Sequence, residues 1–215
     1  MPLKVVWFCT STSSPLSCNS ETLDAYRFLA AIKGHRIKGE ALVPVNGERR
    51  RLDNSNRDDA IDWFGENVAA YLQRQAIGPP LCLVPIPGSN ITVESSTGPW
   101  TTLMTMAILT KIQGDVDTAD VLRWREKRLE RQPPSARELY DRIFLIEKKD
   151  WEVPVVLVGY LTAGAGVIQA CAARLIESGA QVAHVIYAGR LVSQPPKKPF
   201  AIMRTDIRHY RPHSP

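Results

Sequence analysis

The sequence predicts an α/β fold, a mostly parallel sheet flanked by helices. Three observations carry this expectation. Leu81 to Val84 and Val155 to Val158 are continuous apolar runs, the pattern of strands buried on both faces. Segments of helical periodicity separate the strand-like runs along the chain. Finally, the chain passes from Val158 through a small, Gly-rich turn into a helical segment, as in a parallel β-α unit.

Taken in order, residues 4 to 9 (KVVWFC) predict the first strand, and TSTSSPLSCNS predicts a polar loop of about a dozen residues, a length associated with function or disorder. Thr22 to Lys33 has helical spacing through Leu23, Tyr26, Leu29 and Ala30, with Ser20 as the expected N-cap and Gly34 as the stop. GEALVPV predicts a second strand. The charged stretch NGERRRLDNSNRDD then reads as a connection, with Arg49, Arg50 and Arg51 in a solvated turn. Ala60 to Gln75 predicts a helix through Ile61, Phe64, Val68 and Tyr71, ended by Gly78-Pro79-Pro80.

The strand from Leu81 runs into Pro85-Ile86-Pro87-Gly88-Ser89-Asn90, and the polar stretch to Gly98 reads as a lid. Trp100 to Ile112 predicts a helix, and Asp120 to Arg131 an Arg-rich segment that begins as a strand and is broken by Pro133-Pro134. Ser135-x-x-Glu138 is a capping-box pattern opening a short helix, and Ile143 to Ile146 predicts a further strand. After the strand from Val155, a helix carries Val167, Ile168, Cys171, Leu175 and Ile176 on one side and stops at Gly179. Gln181 to Ala188 predicts the next strand, and the tail from Gln194 an extended segment. The expected organisation is one domain over residues 1–215. Its core spans about residues 56–192, residues 1–50 form an extra edge or a small hood, and residues 193–215 form an extended tail.

Composition narrows the function classes. The chain has 215 residues, 44% of them hydrophobic and 23% charged, ordinary for one globular core. No apolar run approaches the roughly 18 residues of a membrane helix, and the N-terminus lacks a signal-peptide pattern, so a cytoplasmic protein without membrane association is expected. The four cysteines are scattered without a CxxC pair, which predicts neither structural zinc nor a disulfide framework; Cys82 and Cys171 read as small core residues. The formal charge of +5 suits anionic partners such as phosphates or nucleic acid.

Two loops carry the functional expectation. A buried parallel strand that empties into a Pro/Gly/Ser/Asn loop is where open α/β sheets place ligands, which singles out Pro87, Gly88, Ser89 and Asn90. The turn Thr162-Ala163-Gly164-Ala165-Gly166 directs backbone amides and a helix N-terminus toward one spot, a geometry that holds an anion, most often a phosphate. The same pattern also serves as a plain tight β-α turn. No GxSxG, HExxH or Walker A pattern is present.

From about residue 80 to 190 the order of features resembles the type I phosphoribosyltransferases, in particular their competence-associated branch. The resemblance rests on LCLVPIPGSN, a strand ending in a Pro-containing pyrophosphate loop. It rests also on VLRWREKRLERQPPSARELYDR, an Arg-rich strand followed by a short helix, and on VVLVGYLTAGAGVIQACAARLIESGAQVAHVIYAGR, a strand, phosphate loop and helix. It implies a ligand such as phosphoribosyl pyrophosphate, a ribose 5-phosphate or a nucleotide, with Mg²⁺ accompanying it. Thr162 to Gly166 would hold the 5′-phosphate, and the loop at Pro87 to Asn90 the pyrophosphate. Arg123, Arg125, Lys127 or Arg128, with Arg137 and Arg142 behind them, are the candidate cations.

One departure stands out. The family's acidic pair, which holds the ribose hydroxyls, is replaced by Val158-Gly159 or Gly159-Tyr160, and a backbone turn with a tyrosine cannot reproduce two carboxylates. Tyr160 then either stacks on the ligand or fills the space it left. Asp115, Asp117 and Asp120 either replace the lost metal partner or form an exposed turn. No protein metal site is assigned. Two classes therefore stay open: a divergent phosphoribosyltransferase, or a non-catalytic regulator or nucleic-acid-binding module on the same scaffold. A homodimer is compatible with both.

Overall fold

The computed structural model describes residues 2–12, 19–95, 100–128, 134–162 and 164–212. In chain order its elements are β1 (Leu3–Thr12), α1 (Ser20–Ile32), β2 (Ala41–Val45), β3 (Glu48–Leu52), α2 (Asp59–Arg74), β4 (Leu81–Pro85), α3 (Trp100–Leu109), β5 (Val116–Thr118), β6 (Leu122–Trp124), α4 (Ala136–Tyr140), β7 (Ile143–Leu145), β8 (Val155–Thr162), α5 (Gly166–Glu177), β9 (Val182–Val192) and β10 (Met203–Ile207). Most of the expected polar loop after β1, the end of the expected lid, Arg131 and Ala163 lie outside the described residues.

Six strands form the main sheet in the order β10-β1-β9-β8-β4-β5, and all pairings are parallel except β1 with β10. This is the α/β architecture the apolar runs predict, compatible with a Rossmann-like fold. Alternation along the strands divides the core in two. Val6, Phe8, Leu83, Val156, Val158 and Ile186 face α1, α2 and α3. Val5, Trp7, Val84, Val155, Leu157, Val185 and Tyr187 face α4, α5 and the β6–β7 hairpin. Both faces are covered, which is why Val155 to Val158 are apolar without a break: each is 0% exposed. Burial of each such side chain contributes roughly 1.5–3 kcal/mol.

The ends of the chain differ from expectation. β1 lies between β9 and β10, inside the main sheet, so the core is not confined to residues 56–192. Its apolar run pairs along β9 from Lys4–His184 to Thr12–Val192, longer than the six residues read from sequence. The tail does not simply extend away: Met203–Ile207 adds an antiparallel edge strand to β1, closing one side of the sheet. The charged stretch after β2 is likewise not a connection. Asn46 and Gly47 adopt φ of 52° and 91°, the left-handed pair a tight hairpin requires, and Glu48–Leu52 returns antiparallel to β2. Its arginines pair with Glu21, Glu66 and Glu40, so they are ion-paired strand residues rather than a solvated turn. This hairpin is a separate two-stranded sheet beside α1 and α2.

Local signals account for the helix limits. Asn19, not Ser20, caps α1, its side chain accepting the Thr22 N–H at 2.9 Å, and Gly34 follows the helix at φ 76°. The capping box of Ser135 and Glu138 is present in α4. Within its described residues, the Arg-rich segment forms a three-residue strand, β6, hydrogen-bonded to β7 as a small hairpin. Among the described residues, no helix is long and apolar enough to cross a membrane.

Candidate phosphate-ligand cavity

Neighbouring parallel strands β4 and β8 end at the same edge of the sheet, in register from Cys82–Val155 to Pro85–Val158. Their following loops therefore meet. Between them lies a cavity of about 600 Å³, walled by Pro87, Gly88, Ser89 and Asn90 on one side and Thr162, Gly164 and Gly166 on the other. Carboxyl ends of parallel strands are the expected ligand position in this architecture.

The loop after β4 is held by its carbonyls. Thr101 donates to Ile86 O at 2.7 Å, the Trp124 indole to Pro87 O at 3.2 Å, and the Arg128 amide to Ser89 O at 2.7 Å. The Ile91 amide closes a turn onto Gly88 O at 3.0 Å. Three elements far apart in sequence thus fix one loop, leaving little freedom for ligand binding to remove.

The loop after β8 is organised by Thr162. Its hydroxyl donates to Gly164 O at 2.6 Å and accepts the Gly164 amide at 3.2 Å. The hydroxyl therefore closes the turn and does not stand ready for a phosphate. The remaining donors are first-turn amides of α5, whose N-terminus has no side-chain cap at Ala165. Gly164 is open: a Cβ there would meet nothing within 4 Å. Gly166 has a different reason to be small, because a Cβ would lie 2.7 Å from Pro134 O, where α4 approaches α5. Ala165 does not line this cavity.

Cations enter from positions that differ from those expected. Arg123 is buried and forks onto Asp120, with Nη1–Oδ1 at 2.6 Å and Nη2–Oδ2 at 3.1 Å. It is a structural ion pair and does not line the cavity. Arg125 is exposed and stacks on Phe144 at 4.8 Å, and Arg137 is exposed on α4; neither lines the cavity. Arg142 pairs with Glu126. Arg128 does line it, its guanidinium 4.4 Å over the Trp124 ring. The second cation on the wall is Lys33, just past α1, with its ammonium 5.7 Å from the Tyr160 ring. Nothing in the local sequence marks Lys33; only packing of α1 against the sheet brings it here.

Tyr160 is both packed into the fold and part of the cavity wall. Its hydroxyl donates to Leu29 O at 2.7 Å, and burial pushes its phenol well above the ordinary range. The side chain ties β8 to α1 and presents its ring to the cavity. Gly159 has no room for a carboxylate, since Tyr187 lies against it. Tyr187 is itself on the wall, 2% exposed, with a hydroxyl that has no hydrogen-bond partner. A buried phenol without a partner is unusual. Sequence pattern gave no warning of it, because QVAHVIYA reads simply as an apolar strand.

The acidic residues after α3 do not gather. Asp117 pairs with Lys149 and Asp120 with Arg123, and among the described residues no group of three His, Cys, Asp or Glu side chains could hold a metal. Cys9, Cys82 and Cys171 are buried free thiols. Comparison with protein-family models and with curated proteins finds no match to this chain.

Proposed function

We propose that this protein binds a phosphorylated ribose or nucleotide in the cavity between the β4 and β8 loops, in the manner of a type I phosphoribosyltransferase. The observation that carries the reading is the meeting of two loops from adjacent parallel strands around one cavity, with Lys33 and Arg128 on its wall. The uncapped N-terminus of α5 supplies amide donors and the positive end of a helix dipole to a phosphate.

The ribose must be gripped differently from the family pattern. Gly159 and Tyr160 stand where the acids would be, and both are committed to packing. The described lining residues offer hydroxyls, carbonyls and cations but no carboxylate. That donor set does not fit a Mg²⁺ ion held by the protein, so any Mg²⁺ would arrive on the ligand's own phosphates. Of the two classes, this supports ligand binding with a regulatory consequence over phosphoribosyl transfer. Transfer demands that charge on a departing pyrophosphate be met while the sugar is held still.

The nucleic-acid alternative draws less support. Arginines 49, 50, 51, 123 and 142 face carboxylates, and Trp7, Trp63 and Trp124 are buried and unavailable for stacking on bases. A thermal-shift series tests the reading: ribose 5-phosphate, phosphoribosyl pyrophosphate with and without Mg²⁺, nucleoside monophosphates, and single-stranded oligonucleotides at two salt concentrations. Stabilisation by the phosphorylated sugars, lost in Lys33→Gln combined with Arg128→Gln, is the expected result. Oligonucleotide binding that collapses with salt, without any small-ligand response, would point to the other class.

A further inference from the structure

A second cavity, of about 220 Å³, adjoins the same loop from another side. Thr162, Gly164 and Ala165 form one wall, and Trp7 of β1, Arg190 of β9 and Thr205 of β10 form the others. β1 lies between β9 and β10, so three neighbouring strands converge on it.

Two donors here lack acceptors. Trp7 is 4% exposed, and its indole N–H has no hydrogen-bond partner. An indole nitrogen can only donate, so nothing but an acceptor can satisfy it. The Arg190 guanidinium sits 5.1 Å over the Trp7 ring, and no carboxylate pairs with it among the described residues. Its partners in the two ladders, Thr10 of β1 and Thr162 of β8, bring no negative charge, and the described lining residues of the cavity include no Asp or Glu. Arginine is the side chain best shaped to fork onto an oxyanion, and a buried unsatisfied donor beside it is a destabilising feature that an oxyanion would remove.

We propose that this smaller cavity is a binding site for a compact oxyanion of the phosphate class, held by the Arg190 guanidinium and the Trp7 indole N–H. Its volume is little more than a third of the larger cavity's, which selects an inorganic anion over a nucleotide. Thr205 adds a hydroxyl on the β10 side. Thr162 and Gly164 are common to both cavities, but the cations differ: Lys33 and Arg128 line only the larger one and Arg190 only this one.

The test is a titration of the full ¹⁵N-labelled chain with inorganic phosphate in a phosphate-free buffer, following the tryptophan indole resonances. Trp7→Phe assigns the Trp7 signal. The expected result is a saturable shift of that signal, with affinity weakened at least about tenfold in Arg190→Gln and less in Arg190→Lys, which keeps the charge but not the fork. Lys33→Gln should leave the titration unchanged, which separates this site from the larger cavity. A wild-type Trp7 signal that stays still, or one that moves equally in Arg190→Gln, overturns the assignment. Should Arg190→Gln fail to fold, the wild-type titration and Arg190→Lys decide it.

Discussion

The ring of Tyr187 lies across the position that any side chain on Gly159 would occupy: a Cβ there would be 2.3 Å from Cε1 and 2.6 Å from Cζ. The two residues face each other directly in the β8–β9 ladder. The glycine standing where the resembled family has an acid is thus matched by an aromatic residue on the next strand. Gly159→Ala is expected to destabilise the fold by about 1–3 kcal/mol, because the ring is wholly enclosed and cannot swing aside. Tyr187→Leu should recover part of that loss. Urea unfolding of the single and double variants measures it, and additive losses would mean the two positions do not compete for space.

Tyr187→Phe separates the hydroxyl from the ring. The hydroxyl is buried without a partner, so its removal should leave stability within about 0.5 kcal/mol of wild type or raise it. Binding of a phosphorylated sugar should weaken if the phenol meets the ligand. A clear loss of stability in the free protein would show that the hydroxyl has an acceptor after all.

Gly164→Val addresses the phosphate loop. The site is open, so folding stability should change by less than about 1 kcal/mol. Ribose 5-phosphate binding should fall by at least about tenfold, because a branched side chain would cover the amides at the start of α5. Calorimetry on the folded variant reads both quantities, and unaltered binding would remove the loop from the site.

Arg123→Met tests the reassignment of an arginine from ligand to structure. It leaves Asp120 without its fork partner, and a loss of about 2–3 kcal/mol is expected, the lower end for a partly buried pair. Ligand affinity should be unchanged. If affinity falls while stability holds, the ion pair is the wrong account of Arg123.

Tyr140 gives a pH signature. Burial, reinforced by the hydrogen bond to Glu177, pushes its phenol from the ordinary value of 10.0 up to about 12. The folded state thus keeps a proton that the unfolded chain gives up. Its contribution to stability is complete below about pH 10 and declines between about 10 and 12. Unfolding free energies across that window should fall with pH, and the decline should flatten in Tyr140→Phe. An identical slope in the variant would assign the effect elsewhere.

Much of the fold was legible because burial on both faces leaves an unmistakable mark. Val155 to Val158 could hardly be anything but an inner strand, and the Ser135–Glu138 capping box marked a helix of only five residues. The strands missed from sequence are short and polar, and their partners are needed to identify them. Glu48–Leu52 has three consecutive arginines and becomes a strand only through pairing with β2, although Asn46-Gly47 marked the turn. Met203–Ile207 is largely exposed and exists only as an edge on β1.

The order of amino acids by itself marked the two loops, because Gly, Pro and Thr follow apolar runs there. The first loop is nonetheless held in place by Thr101, Trp124 and Arg128 from elsewhere in the chain. Which charged groups face those loops was decided by the tertiary structure alone. Lys33 reaches the cavity from α1, Arg123 leaves it for Asp120, and Trp7 meets Arg190 through strand neighbours far apart along the chain. Charged side chains carry no periodicity of their own, so their partners are set by which elements pack together, and that is a property of the folded chain.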